Sequence, residues 1–195
     1  MMAAAVNEVD RLVELLSLLL VPSNDVQENV RKELGRRAKG PTFIHALATI
    51  FCARDLNQGS SGAVGIGNVD LAAVAVPVRQ AAGLLLKNAF AAKPLPAQSS
   101  AAQQQSVLAH VFHALRDPVR PIRKTAAAAV TSVLANFGVA NIVPPLVRML
   151  GCGDENAVGG ALRAIELVCE DHAHALDCVF PDGTRPLDVL VPTLL

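Results

Sequence analysis

The sequence predicts an all-α fold of helix pairs stacked in series, and three observations carry that expectation. Apolar residues recur at three- and four-residue steps in one segment after another. Short turns containing Gly, Pro or Asp separate those segments. Alanine runs such as Ala126 to Ala129 favour helices that approach closely, because Ala forms helix best and brings little bulk, and no alternating strand pattern competes.

The elements follow in chain order. A first helix presents Val9, Leu12, Val13, Leu16, Leu19 and Leu20 as one stripe, after which Pro22-Ser23-Asn24-Asp25 supplies turn and N-cap chemistry. Val26, Val30 and Leu34 mark a second helix that stops near Gly40. Pro41 opens a third, with Phe43, Ile44, Leu47, Ala48 and Phe51 as its apolar face. Residues 57–68 are glycine-rich and aperiodic, which predicts a flexible loop. Val78 to Phe90, VRQAAGLLLKNAF, reads as a helix with Arg79, Gln80, Lys87 and Asn88 on its one polar side.

A Pro- and Gln-rich joint is expected from Lys93 to about Gln105. The next helix turns Val107, Leu108, Val111, Phe112 and Leu115 inward and breaks at Asp117-Pro118. Ala126, Val130, Val133, Leu134 and Phe137 line the following helix, which Gly138 ends. Pro144 and Pro145 are expected to start a short helix through Leu150, and Gly151-Cys152-Gly153 turns the chain again. Asp154 caps a last full helix with Val158, Ala161, Leu162, Ile165, Val168 and Cys169 inward and Arg163, Glu166 and Glu170 outward. A further helix begins near Leu187 and the sequence stops within it. A fragment or truncated product is therefore expected, with exposed apolar surface at Leu190, Val191 and Leu195.

Val30, Val78, Val119 and Val158 mark the second helix of each pair, and Arg31, Arg79 and Arg120 directly follow three of them. Their separations of about 48, 41 and 39 residues fall near the period of HEAT and armadillo repeats. The expected architecture is a HEAT-repeat α-solenoid with repeats at about 6–40, 41–92, 100–138 and 140–176 and a partial fifth at 186–195; an irregular helical bundle is the alternative. Each pair cannot bury its apolar face alone, so stacking is obligatory and leaves a ridge of second helices as a binding surface.

Composition narrows the function. With 195 residues, 52% of them hydrophobic, the chain is too apolar to be disordered. Seventeen basic and 17 acidic residues leave no net charge to attract phosphate backbones, and 3% aromatics without Trp or Tyr leave few stacking platforms, so nucleic acid is not expected as a partner. Four unevenly spaced cysteines without a CxxC pair fit a reducing compartment. Glu8, Asp10 and Glu14 argue against reading Leu12 to Val21 as a signal peptide, and no run approaches the roughly 20 apolar residues of a membrane span.

Catalytic chemistry finds no foothold. Cys169, His172, His174 and Cys178 have metal-ligand residue types, but His172 and His174 diverge on a helix, so a buried Cys169 with solvated histidines is expected and no metal. His110 and His113 lie on an ordinary exposed helix face, without HExxH. Gly62, Gly65 and Gly67 fit no phosphate-binding motif, and no Ser or Cys occupies a nucleophile elbow. No catalytic residue, no cofactor and no enzymatic activity are expected. Glu166, Glu170 and Asp171 lie on helix surface, where Glu170-Asp171 could present negative charge to a basic partner.

VRQAAGLLLKNAF, with its Leu86-Lys87-Asn88, resembles the second-repeat helix of the importin-β superfamily. IRKTAAAAVTSVLANFG, NIVPPLVRML, ALRAIELVCEDHAHALD and RPLDVLVPTLL are similar, in order and spacing, to the first repeats of its transportin (karyopherin-β2) branch. The similarity covers about Val9 to Leu195 and is strongest from Val78 onward. It departs from the family in the longer Gly-, Ala- and Val-rich stretch 57–76 and in alanine at several core positions. The resemblance implies a nuclear transport receptor that shuttles between cytoplasm and nucleus and whose N-terminal repeats bind the GTP form of the small GTPase Ran. It also implies that nuclear-localisation-signal cargo and nucleoporins engage only a longer version. Under that reading the candidate contacts on the ridge are Lys87, Asn88, Glu166, Glu170 and Asp171, with Lys87 and Asn88 equally able to serve inter-repeat hydrogen bonds. A HEAT scaffold that holds other proteins together is the alternative function.

Overall fold

A computed structural model describes residues 2–53, 70, 73–92, 101–180 and 183–194, with side chains from residue 8 onward. Its helices are α1 (Met2–Leu19), α2 (Asn24–Arg37), α3 (Phe43–Cys52), α4 (Val76–Ala92), α5 (Ala101–Ala114), α6 (Arg120–Phe137), α7 (Val139–Leu150), α8 (Glu155–Asp171) and α9 (Pro186–Leu194), with a short 3₁₀ turn at Ala173–Asp177. Among the described residues there is no strand. The glycine-rich segment 57–68, residues 93–100 of the expected joint, and Leu195 lie outside the described residues.

Packing follows a simple rule. Each odd-numbered helix lies against the even-numbered helix that follows it: α1 on α2, α3 on α4, α5 on α6, α7 on α8. The even helices α4, α6 and α8 then pack in a row, and α1, α3 and α5 in a second row, with α9 against α7. One continuous core runs through all of them, from Val9 to Leu190. The molecule is a helical-repeat solenoid in two layers, the arrangement in which each pair buries its apolar face on its neighbours.

Close approach depends on small residues. α6 buries Ala126, Ala127 and Ala129 along with Ile122, Val130, Val133 and Leu134. On α4, a Cβ at Gly83 would collide with the ring of Phe51, which is fully buried in α3. On α8, a Cβ at Gly160 would collide with the backbone carbonyl of Leu115. Glycine at both places lets a neighbour reach the helix backbone itself.

The α1–α2 pair is tied differently. Arg37 bonds Glu8 of α1 at 2.5 Å and Glu33 at 2.7 Å, while Arg36 bonds Glu33 at 2.6 Å. The hydrogen bond from Arg36, reinforced by Arg37, holds the Glu33 carboxyl down at about 2. Gln27 donates to the Leu19 and Val21 carbonyls at 3.2 and 3.0 Å, satisfying acceptors left open where α1 ends.

Several sequence expectations need correction. Leu20 is half exposed just past the end of α1, and Leu15 takes its place in the core. Helix α3 starts at Phe43, two residues after Pro41, and α5 starts at Ala101, inside the expected joint. Helix α7 begins at Val139 and runs through Pro144 and Pro145. Its buried face of Val139, Ile142, Val143, Leu146 and Met149 outweighs the two backbone hydrogen bonds that the prolines forgo. On α8 the inward face is Ala157, Gly160, Ala161, Ala164, Ile165 and Val168, leaving Leu162 44% exposed and Cys169 exposed. The helix is turned because its small residues, not its largest apolar ones, fit against α6.

Leu190 is only 3% exposed, since α9 packs on α7 and on the 3₁₀ turn, whereas Val191 is 49% exposed as expected. The Val-Arg markers do not share one register. Val119 is the N-cap of α6, Val30 sits mid-helix in α2, and Arg79 is buried while Arg31 and Arg120 are exposed.

A candidate partner-binding ridge

Arg79 is the largest departure from the sequence reading, which placed it on a polar surface. It is 6% exposed and forms an ion pair with Asp117, which is completely buried in the turn between α5 and α6. Its guanidinium also donates to the Phe51 carbonyl at 3.3 Å, so one side chain joins α3, α4 and the α5–α6 turn. Asp117 accepts in addition from the Val119 amide at 2.8 Å, and Arg123 donates to the Asp117 and Pro118 carbonyls at 2.7 and 2.9 Å. A buried pair with its further bonds satisfied fixes geometry more than it adds stability.

Along the even-numbered helices lies an open groove of about 440 Å³. Lys87, Phe90 and Ala91 of α4 form one wall, and Leu167 and Asp171 of α8, with His172 beyond it, form the other. Ala128, Thr131, Ser132 and Ala135 of α6 make the floor. The small floor residues leave the groove open, and the Thr131 hydroxyl is occupied by the Ala128 carbonyl at 2.9 Å. Phe90 and Phe137 meet edge to face at 6.2 Å at one end, where Asn136 donates to the Phe90 carbonyl at 3.3 Å.

Of the five candidate contacts, the structure brings Lys87 and Asp171 into this one groove, a cation facing a carboxylate across α6. Asn88 turns the other way, into a cleft of about 560 Å³ between α2 and α4 lined by Gln27, Arg31, Leu34 and Leu85. Glu166 pairs with Arg163 at 2.5 Å on the exposed side of α8. That hydrogen bond raises the Arg163 pKa, with a smaller contribution from Glu170. Glu170 and Asp171 are both exposed at the end of α8.

The histidines also depart from expectation. Cys169 is exposed rather than buried; His172 caps the end of α8, with the His174 ring 6.3 Å away in the 3₁₀ turn. Among the described residues no three His, Cys, Asp or Glu side chains group as metal ligands. His113 is exposed, but His110 turns toward α3 and packs edge-on against His45 at 5.7 Å. Burial, then the charge of His110, lowers the His45 pKa from its usual 6.5. Neither His45 nor the Arg79–Asp117 pair emerged from the sequence, because both depend on which residues meet across separate helices. Among the described residues no helix is long and apolar enough to cross a membrane.

Two layers of helices, with an open groove along one of them and a charged residue on each wall, define a helical-repeat solenoid as the class of this chain. The chain is 33% identical over 125 residues to importin subunit beta-2 of Schizosaccharomyces pombe, covering 63% of this chain and 14% of that protein. It is 24% identical over 188 residues to the transportin of Dictyostelium discoideum, covering 95% of this chain and 18% of the relative. Against transportin-1 of Homo sapiens it is 24% identical over 190 residues, covering 96% and 19%. No family model matches. The resemblance to the importin-β superfamily, on its transportin side, is thus carried by named relatives, of whose length the chain spans less than a fifth.

Proposed function

We propose that this chain is a transportin-like segment of a nuclear import receptor that binds the GTP form of Ran through its even-numbered helices and has no catalytic role. The observation that carries the reading is the groove over α6 with Lys87 and Asp171 on opposite walls. It offers a protein partner a floor of small side chains and charges of both signs, a combination that fixes orientation as well as attraction. Asn88, Glu166 and Glu170 extend the contact along the same layer. Similarity to importin β-2 and transportins over most of the chain supports the choice of partner. Cargo and nucleoporins belong, in this reading, to a longer receptor that shuttles between cytoplasm and nucleus.

The test is a titration of the 195-residue chain against Ran loaded with a non-hydrolysable GTP analogue and, separately, with GDP. Binding to the GTP form tighter by roughly tenfold or more supports the proposal, a ratio within the ordinary range of conformational coupling. Equal affinity for both forms, with the chain folded by circular dichroism, contradicts it and favours a general scaffold.

A further inference from the structure

The zero net charge conceals a strong segregation. From residue 71 to 153 the sequence holds eight Lys and Arg but a single carboxylate, Asp117; from 154 to 195 it holds eight Asp and Glu but only two arginines. Asp117 is buried and bonded to Arg79, so the exposed charged side chains described in the middle region are all basic. Helices α5, α6 and α7 contain no Asp or Glu at all.

Within that basic region the odd-numbered layer has a cleft of its own. Between α5 and α7 lies a space of about 450 Å³, on the layer opposite the Lys87–Asp171 groove. Leu108, Phe112, Pro145 and Met149 give it an apolar interior. Arg116 and Arg148, both exposed, stand near the C-terminal ends of the two helices and line it together, and among the described residues no carboxylate lines it. An apolar slot bordered by two guanidiniums matches a ligand with an apolar side chain flanked by carboxylates, because arginine presents a planar fork that binds carboxylate in two places.

We propose that the α5–α7 cleft is a docking site for an acidic peptide segment that inserts one large apolar side chain between Phe112 and Met149 while its carboxylates meet Arg116 and Arg148. A peptide fits better than nucleic acid because the lining is mostly apolar and offers two arginines, not the run of basic side chains that tracks a phosphate backbone. The site is independent of Ran binding, since it lies in the other layer and uses none of the residues proposed for it.

The experiment is a fluorescence-anisotropy titration of the whole chain with a labelled twelve-residue probe, about two-thirds Glu and Asp around a central Leu-Phe. Three controls accompany it: the same probe with Ser-Ser at the centre, the probe with Lys for every acid, and a deoxythymidine oligonucleotide. The expected result is saturable binding that weakens at least tenfold with the Ser-Ser probe and with Arg148→Glu, weakens as salt rises, and is absent for the Lys probe. Because Arg148 is exposed, its replacement leaves the core intact, which circular dichroism checks. Equal affinity for the Ser-Ser probe, undiminished binding by Arg148→Glu, or tighter binding of the oligonucleotide each overturns the proposal. So does salt-sensitive self-association in sedimentation velocity that Arg148→Glu abolishes, since the cleft would then be taken by the acidic end of a second copy.

Discussion

Helices α2 and α6 hold equivalent places in their pairs yet are stabilised by different means. α6 touches α4, α5, α7 and α8 and buries nine of its residues, most of them small or β-branched. α2 packs mainly on α1, buries only Val30 and Leu34, and relies on ion pairs among Glu8, Glu33, Arg36 and Arg37. A helix with neighbours on every side can spend its sequence on close fit. One with few neighbours must remain polar, and its cross-links keep partial contact with water, which leaves them weaker than a pair sealed in the core.

The sharpest way to break this contrast is to remove one member of a charge pair in each region. Asp117→Ala strands Arg79 in the core and is expected to cost about 3–5 kcal/mol in urea unfolding, while Arg79→Met with Asp117→Leu recovers most of that. Glu8→Gln at the α1–α2 bridge is expected to cost about 1 kcal/mol or less. A similar loss at both sites would mean that burial does not set the difference.

Glycine substitution sharpens the comparison further, because the sign should reverse. Gly160→Ala drives a methyl group into the Leu115 carbonyl and should destabilise by about 1–3 kcal/mol. Gly35 in α2 has open space around its missing Cβ, so Gly35→Ala should stabilise by about 0.5–1 kcal/mol. Thermal unfolding of the two variants beside the parent chain decides it.

A smaller effect concerns the α3–α5 contact. Folding lowers the His45 pKa below its unfolded value of 6.5, so the unfolded chain takes up a proton more readily in the interval just beneath 6.5. The stability held by neutral His45 is complete above that value and is lost as pH falls through the interval. The groups facing it are His110, Ser106 and Thr49. Melting temperatures between pH 5 and 7.5 should fall with acidification, and His45→Gln should flatten the slope.

The sequence made the helices and their order legible because three- and four-residue periodicity and turn residues act locally. Asp154 illustrates this: its place before α8 predicted an N-cap, and its carboxylate accepts from the Asn156 and Ala157 amides. Rotation about each helix axis was harder to read wherever small residues made the contact. Leu162 looked like core and Gly160 did not, yet Gly160 lies against Leu115 and Leu162 faces outward. The ridge was legible only in part: Lys87 and Asp171 share a groove, but their meeting depends on α6 lying between them, and Asn88, one residue on, faces α2. Arg79 escaped notice because its partner lies 38 residues away in another pair.

The most direct test of the account is nucleotide-selective binding measured side by side for the parent chain and Asp171→Lys, a change at an exposed groove wall. The account predicts that the parent prefers Ran with the GTP analogue and that Asp171→Lys loses roughly tenfold in affinity for that form with its helical content unchanged. Affinity for the GTP form that Asp171→Lys leaves untouched, or a parent chain blind to the nucleotide, would contradict it.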